Sequence, residues 1–378
     1  MATEGIPTDI ERLPSLSGVD PSPVSIKTKK NFVRRTEPDR SQITRRLVQF
    51  AFAALNIIIC VQFYFWARYY ETGGATMRVS RPAGVDGWLP IAGLMNLKFT
   101  LSTGIIPKIH PAGFFLFALF LTISLLLKKA FCSWLCPIGL FSEYLWKAGK
   151  KLLGRNLELP GWLDVALRCV KYLLLSFFVI IVGGMSAAAL ADFMGQPYGI
   201  IADVKMLNFF RHMSTTSLAI VGVLVLGSVV IKNFWCRYAC PYGALLGLVS
   251  LLSPVKIRRD TQACIDCGKC SKACPEHLPV DKLVQVRSAE CTACMECVAS
   301  CDTQNALQFA LPARSADTRQ ARWAGRTLRP ALVAAAIATL FFGVVGYAKL
   351  THHWQTVVPD SVYMELVPHA EEESHPGF

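Results

Sequence analysis

The sequence predicts a polytopic α-helical membrane protein that carries a small cysteine-rich α+β domain between its membrane spans. Three observations favour this fold class. Apolar residues make up 53% of the 378 residues, and charged residues only 17%. Soluble domains have roughly 25% charged residues, so this much apolar surface needs lipid to cover it. Long uncharged segments recur along the chain, and most of the 14 cysteines lie between them. This length and hydropathy exclude a small disulfide-stapled secreted domain.

Five uncharged segments have the length of a transmembrane helix, since about 20 apolar residues cross the hydrocarbon core of a bilayer. They are residues 47–67, 109–127, 172–191, 213–231 and 330–348. Residues 88–106 are also apolar but contain Pro90, Lys98 and Gly104. We expect this segment to be interfacial or re-entrant rather than a sixth span.

Lysine and arginine are distributed unequally between the two sides of these spans. One side, made of residues 1–46, 128–171 and 232–329, holds 31 of them, and the other side holds 8. The positive-inside rule therefore predicts a cytoplasmic N-terminus and a periplasmic C-terminus in a bacterial inner membrane. The net charge of +13 is then a topology signal, and we expect no nucleic-acid partner.

The cysteines provide an independent test of this topology. All but one fall in the two predicted cytoplasmic loops, and Cys60 lies within the first span. Disulfides belong to oxidising compartments, so we expect metal or redox chemistry from cysteines on the reducing side. Cys60 and Cys169 have no partner in the sequence pattern, and we expect both to be ordinary buried thiols.

Two consecutive cysteine runs form the most specific motif. The run C-x2-C-x2-C-x3-C-P occupies residues 264–275, and C-x2-C-x2-C-x3-C occupies residues 291–301. This is the bacterial two-cluster ferredoxin pattern, in which the fourth cysteine of each run ligates the other [4Fe-4S] cluster. Zinc ribbons favour two C-x2-C pairs instead. The predicted ligands are Cys264, Cys267, Cys270 and Cys301 for cluster 1, and Cys291, Cys294, Cys297 and Cys274 for cluster 2. Asp302 replaces the usual final proline, which affects the expected potential or solvent access of cluster 1 but not its ligation.

A second motif, C-x3-C-P, occurs twice, at residues 132–137 and 236–241. The copies are 104 residues apart, and each directly follows a predicted span. The lysine that precedes each motif and the glycine that follows it recur at the same offset. Thiols four residues apart share one helical face, so pseudo-symmetry would assemble four sulfurs at the membrane surface. The alternatives are a further metal or iron–sulfur centre, a redox dithiol, or small side chains that pack helix ends. The candidate residues are Cys132, Cys136, Cys236 and Cys240.

These features divide the chain into six parts. They are a disordered cytoplasmic tail (1–46), four transmembrane helices with the repeated motifs (47–255), the two-cluster ferredoxin domain (256–312), a basic linker (313–329), a fifth transmembrane helix (330–348) and a periplasmic tail (349–378). The last part has histidines and glutamates that either bind a divalent metal or form a solvated acidic segment. They are His352, His353, His369, His375, Glu371, Glu372 and Glu373.

Two C-x3-C-P motifs at the ends of membrane spans, followed by a two-cluster ferredoxin segment, resemble the polyferredoxin-type membrane electron-transfer proteins. This group includes NapH, the C-terminal part of NosR, the CcoG/FixG/RdxA proteins and YccM. The segment from Trp88-Leu89-Pro90-Ile91 through His110-Pro111 to the first motif is most similar to the YccM type. The resemblance implies electron transfer between the quinone pool or a cytoplasmic donor and a redox partner protein, with a quinol dehydrogenase subunit as one expectation.

Clusters anchored in a membrane lie beside lipid-soluble electron carriers, so we expect single-electron transfer that involves quinone. Candidate ligands of a quinone head group near the outer face are His110, Asp192, Asp203 and His212. One alternative is a copper reductase or assembly factor of the CcoG type, because soft thiolates prefer Cu(I). Another is a redox-sensing scaffold. No C-x2-C-H, G-x-G-x2-G or Walker A motif occurs, so covalent haem, a Rossmann dinucleotide and ATP are not expected.

Overall fold

The computed structural model describes residues 32–36, 39–312 and 326–374. Most of the predicted disordered tail and basic linker, together with His375, lies outside the described residues. Residues 41–46, which were assigned to that tail, are helical, because the first helix begins at Ser41.

Helices make up most of the described fold. They are α1 (Ser41–Glu71), α2 (Pro90–Thr103), α3 (Pro111–Leu127), α4 (Ala130–Trp134), α5 (Pro137–Leu153), α6 (Gly161–Gly184), α7 (Ala187–Gly195), α8 (Pro197–Ile200), α9 (Ala202–Arg211), α10 (Thr215–Val230), α11 (Pro241–Ser250), α12 (Lys269–Ala273), α13 (Glu296–Ala299), α14 (Pro330–Leu350) and α15 (Asp360–Leu366). Several begin with proline, whose missing N–H is harmless in the first helical turn. Strands β1 (Lys256–Arg259) and β2 (Leu307–Ala310) pair antiparallel, with Lys256 opposite Ala310.

Three helices, α1, α6 and α14, are long and apolar enough to cross a membrane. Helices α9 and α10 together make a fourth candidate, broken by a bend of 81°. Helix α3, which corresponds to the predicted span 109–127, is apolar but only 17 residues long. The count of five spans therefore stays a prediction. The segment predicted to be interfacial forms α2, which has 14 residues and packs on α3.

Cys60 on α1 and Cys169 on α6 are exposed rather than buried. The prediction that both are buried thiols is therefore wrong. Both lie on candidate membrane spans of which less than a fifth is buried inside the protein. An apolar thiol on such a helix can face lipid and needs no protein around it.

Helix α3 lies at the centre of the fold, where it packs against α2, α11 and α14. Its Leu119 and Ile123 are almost completely buried. The same hydrophobic core continues through Trp134 into the ferredoxin domain, where it includes Ile257 of β1 and Phe309 of β2. A shared core thus joins the ferredoxin domain to α3 and α14.

Helix α1 is longer than the hydrocarbon core of a bilayer is thick. Its 31 residues span about 46 Å, whereas the hydrocarbon core is about 30 Å thick. Its first turns reach the ferredoxin domain, where Gln42 donates to the carbonyl of Cys294 at 3.0 Å. The segment before α1 pairs with the end of the same domain, since Arg35 N–H donates to the carbonyl of Asp302 at 2.8 Å.

The C-terminal segment folds back onto the opposite end of α1. Tyr363, Val367 and Ala370 are buried in a cluster with Trp66 and Tyr70. The expected solvated segment is confirmed for its described histidines and for Glu371 and Glu372, which are exposed, while apolar residues of the same segment pack on α1. Among the described residues, the histidines and glutamates of this segment do not form a group with ligand atoms close enough to share a metal ion.

Candidate iron–sulfur site

The four cysteines predicted to hold cluster 2 line one cavity. They are Cys274, Cys291, Cys294 and Cys297. Apolar side chains such as Ile257 and Val286 form much of the remaining wall. The chain turns sharply between these cysteines because Ala293 and Met295 have positive φ angles of 54° and 58°. Four thiols around an apolar cavity form a donor set that fits a [4Fe-4S] cluster.

The four cysteines predicted to hold cluster 1 lie nearer the surface. Cys267 is exposed, Cys264 and Cys301 are partly buried, and Cys270 is buried. Burial raises the pKa of Cys270, and the thiols of Cys301 and Cys264 raise it further, so these groups lie within electrostatic range of one another. Cluster 1 would therefore be the centre closest to the surrounding solvent.

Asp302 forms an ion pair with Lys269, which lies two residues after Cys267. Both side chains are more than half exposed. The pair joins the two loops that supply ligands to cluster 1 and lies in water, where such pairs contribute little stability. The substitution of the usual proline thus leaves all four cysteines in place.

The repeated C-x3-C-P motifs each join two helical segments. Cys132 lies in α4, and Cys136 is the N-cap of α5. In the second copy Cys236 lies in a π-helical turn (Trp235–Ala239), and Cys240 is the N-cap of α11. The expectation that each pair shares one helical face is therefore wrong, because the proline of each motif begins a new helix.

The structure brings the four repeated thiols together in a partly buried site. Burial raises the pKa of Cys132 to about 12, opposed by the Lys129 ammonium and reinforced by Cys136 and Cys240. Burial also raises the pKa of Cys236, again reinforced by the other three thiols. At the N-cap of α5 the thiol of Cys136 accepts from backbone N–H groups, yet burial still raises its pKa to about 11.

The spacing of these thiols does not match a single metal ion. A tetrahedral zinc site with Zn–S bonds of about 2.3 Å holds its sulfurs about 3.8 Å apart. Among the described residues, which include all cysteines, no three Sγ atoms lie within 4.8 Å of one another. A [4Fe-4S] cluster spreads its thiolates further apart, since each binds a different iron.

The glycine that follows the first motif allows a close approach of the backbone, whereas the glycine that follows the second is not needed for one. A Cβ at Gly139 would overlap the carbonyl oxygen of Cys132, whereas a Cβ at Gly243 would meet its nearest atoms at 3.5–3.6 Å. The two repeats therefore have equivalent folds, but the backbone packs more closely around Gly139 than around Gly243.

We expect Gly139→Ala to destabilise the protein by about 2 kcal/mol, because backbone cannot yield as a flexible side chain does. Gly243→Ala is the matched control and should cost less than half as much. Thermal unfolding of the detergent-solubilised protein measures both. Equal losses in the two variants would contradict the difference in packing between the repeats.

The four-thiol site touches the loop that carries the cluster 2 cysteines. Ser133 Oγ donates to the carbonyl of Thr292 at 2.5 Å, and Trp134 Nε1 donates to that of Ala293 at 3.2 Å. A second cavity is lined by Cys132 and Cys236 on one side and by Cys294 on the other. Two of the cysteine sites predicted from sequence are thus adjacent in space.

Two protein families match the cysteine-bearing parts of the chain. The family described as a 4Fe-4S binding domain matches residues 109–156 and again 213–260, and each match contains one C-x3-C-P motif. The family described as a 4Fe-4S dicluster domain matches residues 256–302, which contain all eight predicted ferredoxin ligands.

One relative covers almost the whole chain. YccM of Escherichia coli strain K12, whose name describes an electron transport protein, is 51% identical over 331 residues. The aligned region covers 88% of this chain and 91% of YccM. The chain belongs to the YccM family.

More distant relatives place this YccM family member in the polyferredoxin-type group, as the motifs predicted. The ferredoxin-type protein NapH of Escherichia coli strain K12 is 28% identical over 183 residues, covering 46% of this chain and 59% of NapH. The protein NirI of Paracoccus denitrificans strain Pd 1222 is 31% identical over 175 residues, covering 45% of this chain and 24% of NirI. No solved structure matches the chain at a significant level.

A buried arginine of this YccM family member, which no sequence motif indicated, lies beside the cysteine sites. Arg45 of α1 is 1% exposed and binds both carboxylate oxygens of Glu143 on α5 at 2.6 and 2.7 Å. It also binds Glu296 of the ferredoxin domain at 3.1 Å and lines the cavity shared with Cys294. In the sequence, Arg45 is a positive charge just before a predicted span, which is the usual position of a residue that sets membrane topology.

The predicted quinone ligands do not form one site in this YccM family member. His110 and Asp203 are completely buried, whereas Asp192 and His212 are exposed. Arg81 binds Asp203 at 2.6 Å and Asp86 at 2.5 Å. His110 Nδ1 lies 3.0 Å from Asp86, and its Nε2 donates to the carbonyl of Gly199 at 3.0 Å. The network joins three segments that are distant in the sequence and leaves His110 no free ring nitrogen.

We expect Arg81→Met to destabilise the protein by about 3–5 kcal/mol, because it leaves two buried carboxylates without their shared cation. Arg78→Met is the control, since Arg78 forms a surface pair with Asp360 and is 66% exposed. Surface pairs contribute about 0–1 kcal/mol. Thermal unfolding of both variants in detergent tests this. A loss below about 1 kcal/mol for Arg81→Met would show that water reaches the network.

Proposed function

We propose that this chain is a membrane-anchored iron–sulfur electron-transfer protein whose cysteines hold three centres. Two are the ferredoxin clusters, and the third lies at the four repeated thiols. The proposal depends most on the contact between Ser133 and Trp134 of the first repeat and the cluster 2 loop. When bound, iron–sulfur clusters supply single-electron transfer. The relative YccM, named as an electron transport protein, supports the same function.

The order in which the chain arranges its sites supports this role. Cys267 of the cluster 1 set is exposed, and most of the cluster 2 cysteines are buried. The four repeated thiols are partly buried and lie beside aromatic side chains of α3 and α4. Tyr242, directly after the second motif, packs 5.5 Å from Phe117 and 5.9 Å from Phe131 between ring centres. The cysteine sites thus lead from the solvent to the membrane helices.

The environment of the four thiols favours a cluster over a redox dithiol. A redox-active dithiol needs a thiolate near neutral pH, which requires a lowered pKa. Burial instead raises the pKa of Cys132 and Cys136 to about 12 and about 11. Binding iron would supply the positive charge that removes these protons, as at other thiolate metal sites.

The electron partners we propose are a cytoplasmic donor or acceptor at cluster 1 and a membrane quinone or redox protein near the four thiols. The topology predicted from the basic loops implies that the clusters lie on the cytoplasmic side. The buried ion pairs of His110 and Asp203 make the outer face less suitable for a quinone head group.

Anaerobic purification with iron and sulfide analysis tests the proposal. Three [4Fe-4S] centres require about twelve irons per chain, and two require about eight. Addition of a reduced quinone analogue should then change the EPR signals of the clusters. Eight irons together with stoichiometric copper would overturn the third cluster and favour a copper-handling role. Cluster signals that do not respond to any quinone or quinol would overturn the quinone partner.

A further inference from the structure

Two adjacent lysines between α3 and α4 are buried beside the cysteine sites. Lys128 is 0% exposed and Lys129 is 3% exposed. Lysine is almost never fully buried unless a negative group lies close to it. Lys128 has a positive φ of 63°, and this unusual turn of the backbone sends the two neighbouring side chains to different sites.

Lys128 extends toward the cysteines of cluster 2. Its ammonium donates to the carbonyl of Ser288 at 2.9 Å, three residues before Cys291. Burial raises the pKa of Cys291, and Lys128 is the first charge that opposes this rise. The ammonium is held in place by a second contact, to the carbonyl of Ser250 at 3.4 Å.

Lys129 extends toward the four repeated thiols. A Cβ atom placed on Gly243 would lie 3.6 Å from the Lys129 ammonium and 3.5 Å from the Sγ of Cys240. The two atoms are therefore at most about 7 Å apart. Two buried carboxylates, Glu276 and Glu290, are also near, but Glu290 is paired with Lys171 at 2.5 Å.

The internal repeat shows that Lys129 is not a general structural feature of the motif. At the offset of 104 residues, Lys128 corresponds to Lys232 and Lys129 to Asn233. Lys232 lies over the ring of Trp146 at 5.9 Å, and Asn233 donates to Glu276 at 2.9 Å. Only the first repeat therefore supplies an ammonium to the four-thiol site.

We propose that the two lysines are positioning residues that raise the reduction potentials of two different centres, Lys128 that of cluster 2 and Lys129 that of the four-thiol centre. Reduction adds one negative charge to a centre, and a fixed cation stabilises that charge strongly in a buried site. The part that concerns Lys129 rests on the proposed third centre. The part that concerns Lys128 depends only on the ferredoxin cluster.

EPR-monitored redox titration of the full-length protein tests this, with Lys128→Met, Lys129→Met and Lys129→Arg beside the wild type. At a fixed potential, Lys129→Met should lower the ratio of reduced to oxidised four-thiol centre at least tenfold, which is 59 mV for a one-electron couple. Lys129→Met should change the same ratio for cluster 2 less than twofold. Lys128→Met should lower the ratio for cluster 2 at least tenfold and change that for the four-thiol centre less than twofold. Lys129→Arg should restore most of the wild-type potential. Lys232→Met, at the symmetry-related position, should leave the four-thiol centre unchanged.

The proposal fails if both methionine variants shift the same centre, if neither shifts any, or if Lys129→Arg behaves like Lys129→Met. If Lys129→Met loses iron, Lys129→Gln replaces it as the uncharged variant of similar size, and an unchanged potential there equally overturns the proposal. About eight irons in the wild type would refute the third centre and with it the part that concerns Lys129. The part that concerns Lys128 would still be tested by the redox titration of cluster 2.

Discussion

Replacing Cys136 and Cys240 by alanine is expected to remove the third centre and leave the two ferredoxin clusters. Both cysteines are N-caps, and neither contributes to the cavity of cluster 2. Iron content should fall by about one third, from about twelve to about eight per chain. Electron exchange with a quinone analogue should fall at least a hundredfold, while the EPR signals of clusters 1 and 2 persist.

The matched control for this loss is the double variant Cys60→Ala and Cys169→Ala. These thiols are exposed on the candidate membrane spans α1 and α6, so their removal should leave iron content and electron exchange unchanged. Full iron content and wild-type quinone reactivity in the Cys136 and Cys240 variant would contradict a third centre at the repeated motifs.

Arg45→Met is expected to destabilise the junction between α1, α5 and the ferredoxin domain. It removes the bidentate contact with Glu143 and the bridge to Glu296, and so loosens the attachment of the ferredoxin domain to α1 and α5. Removal of one partner of a buried pair costs about 3–5 kcal/mol. Lys147 continues to pair with Glu143, so we expect about 2–3 kcal/mol.

The pH dependence of this variant follows from Glu143. Burial alone would raise its pKa, but Arg45 and Lys147 hold it at about 2, below the ordinary value of 4.5. A depressed pKa contributes stability that is present above pH 4.5 and is lost as the pH falls toward 2. The difference between wild type and variant should therefore be constant from pH 7 to about 5.

Thermal unfolding at pH 7 measures the loss, with Arg46→Met as the control because Arg46 is an exposed neighbour on the same helix. Limited proteolysis should also cut the ferredoxin domain of Arg45→Met faster. Equal stability of the two variants would contradict an anchoring role for Arg45.

Much of the cysteine architecture could be predicted from the sequence because ligand spacing is a local property. The C-x2-C-x2-C-x3-C runs predicted which cysteines gather, and the structure brings the cluster 2 set around one cavity. The offset of 104 residues likewise predicted that Cys132 and Cys236 would meet, and the structure places both on one cavity. The C-x3-C spacing gave one wrong prediction, that the two cysteines of each motif share a helical face. It failed because the following proline begins a new helix.

Contacts between residues distant in the sequence could not be predicted in this way. Arg81 meets Asp203 across 122 residues, and Arg45 meets Glu296 across 251. Each charge alone has the appearance of an ordinary loop or interface residue, and only folding shows that it is buried. The burial of Tyr363 was equally hidden, because its apolar partners on α1 look like lipid-facing residues.

The pairing of residues 33–35 with residues 302–304 has a consequence for biosynthesis. Val33 accepts from Gln304 N–H at 2.9 Å, and Arg35 donates to Asp302 at 2.8 Å. The ribosome must therefore translate about 270 further residues before the segment ahead of α1 can reach its final position. The segment ahead of α1 therefore joins the ferredoxin domain only after the late cysteines have been synthesised, and the first part of the chain closes over the last.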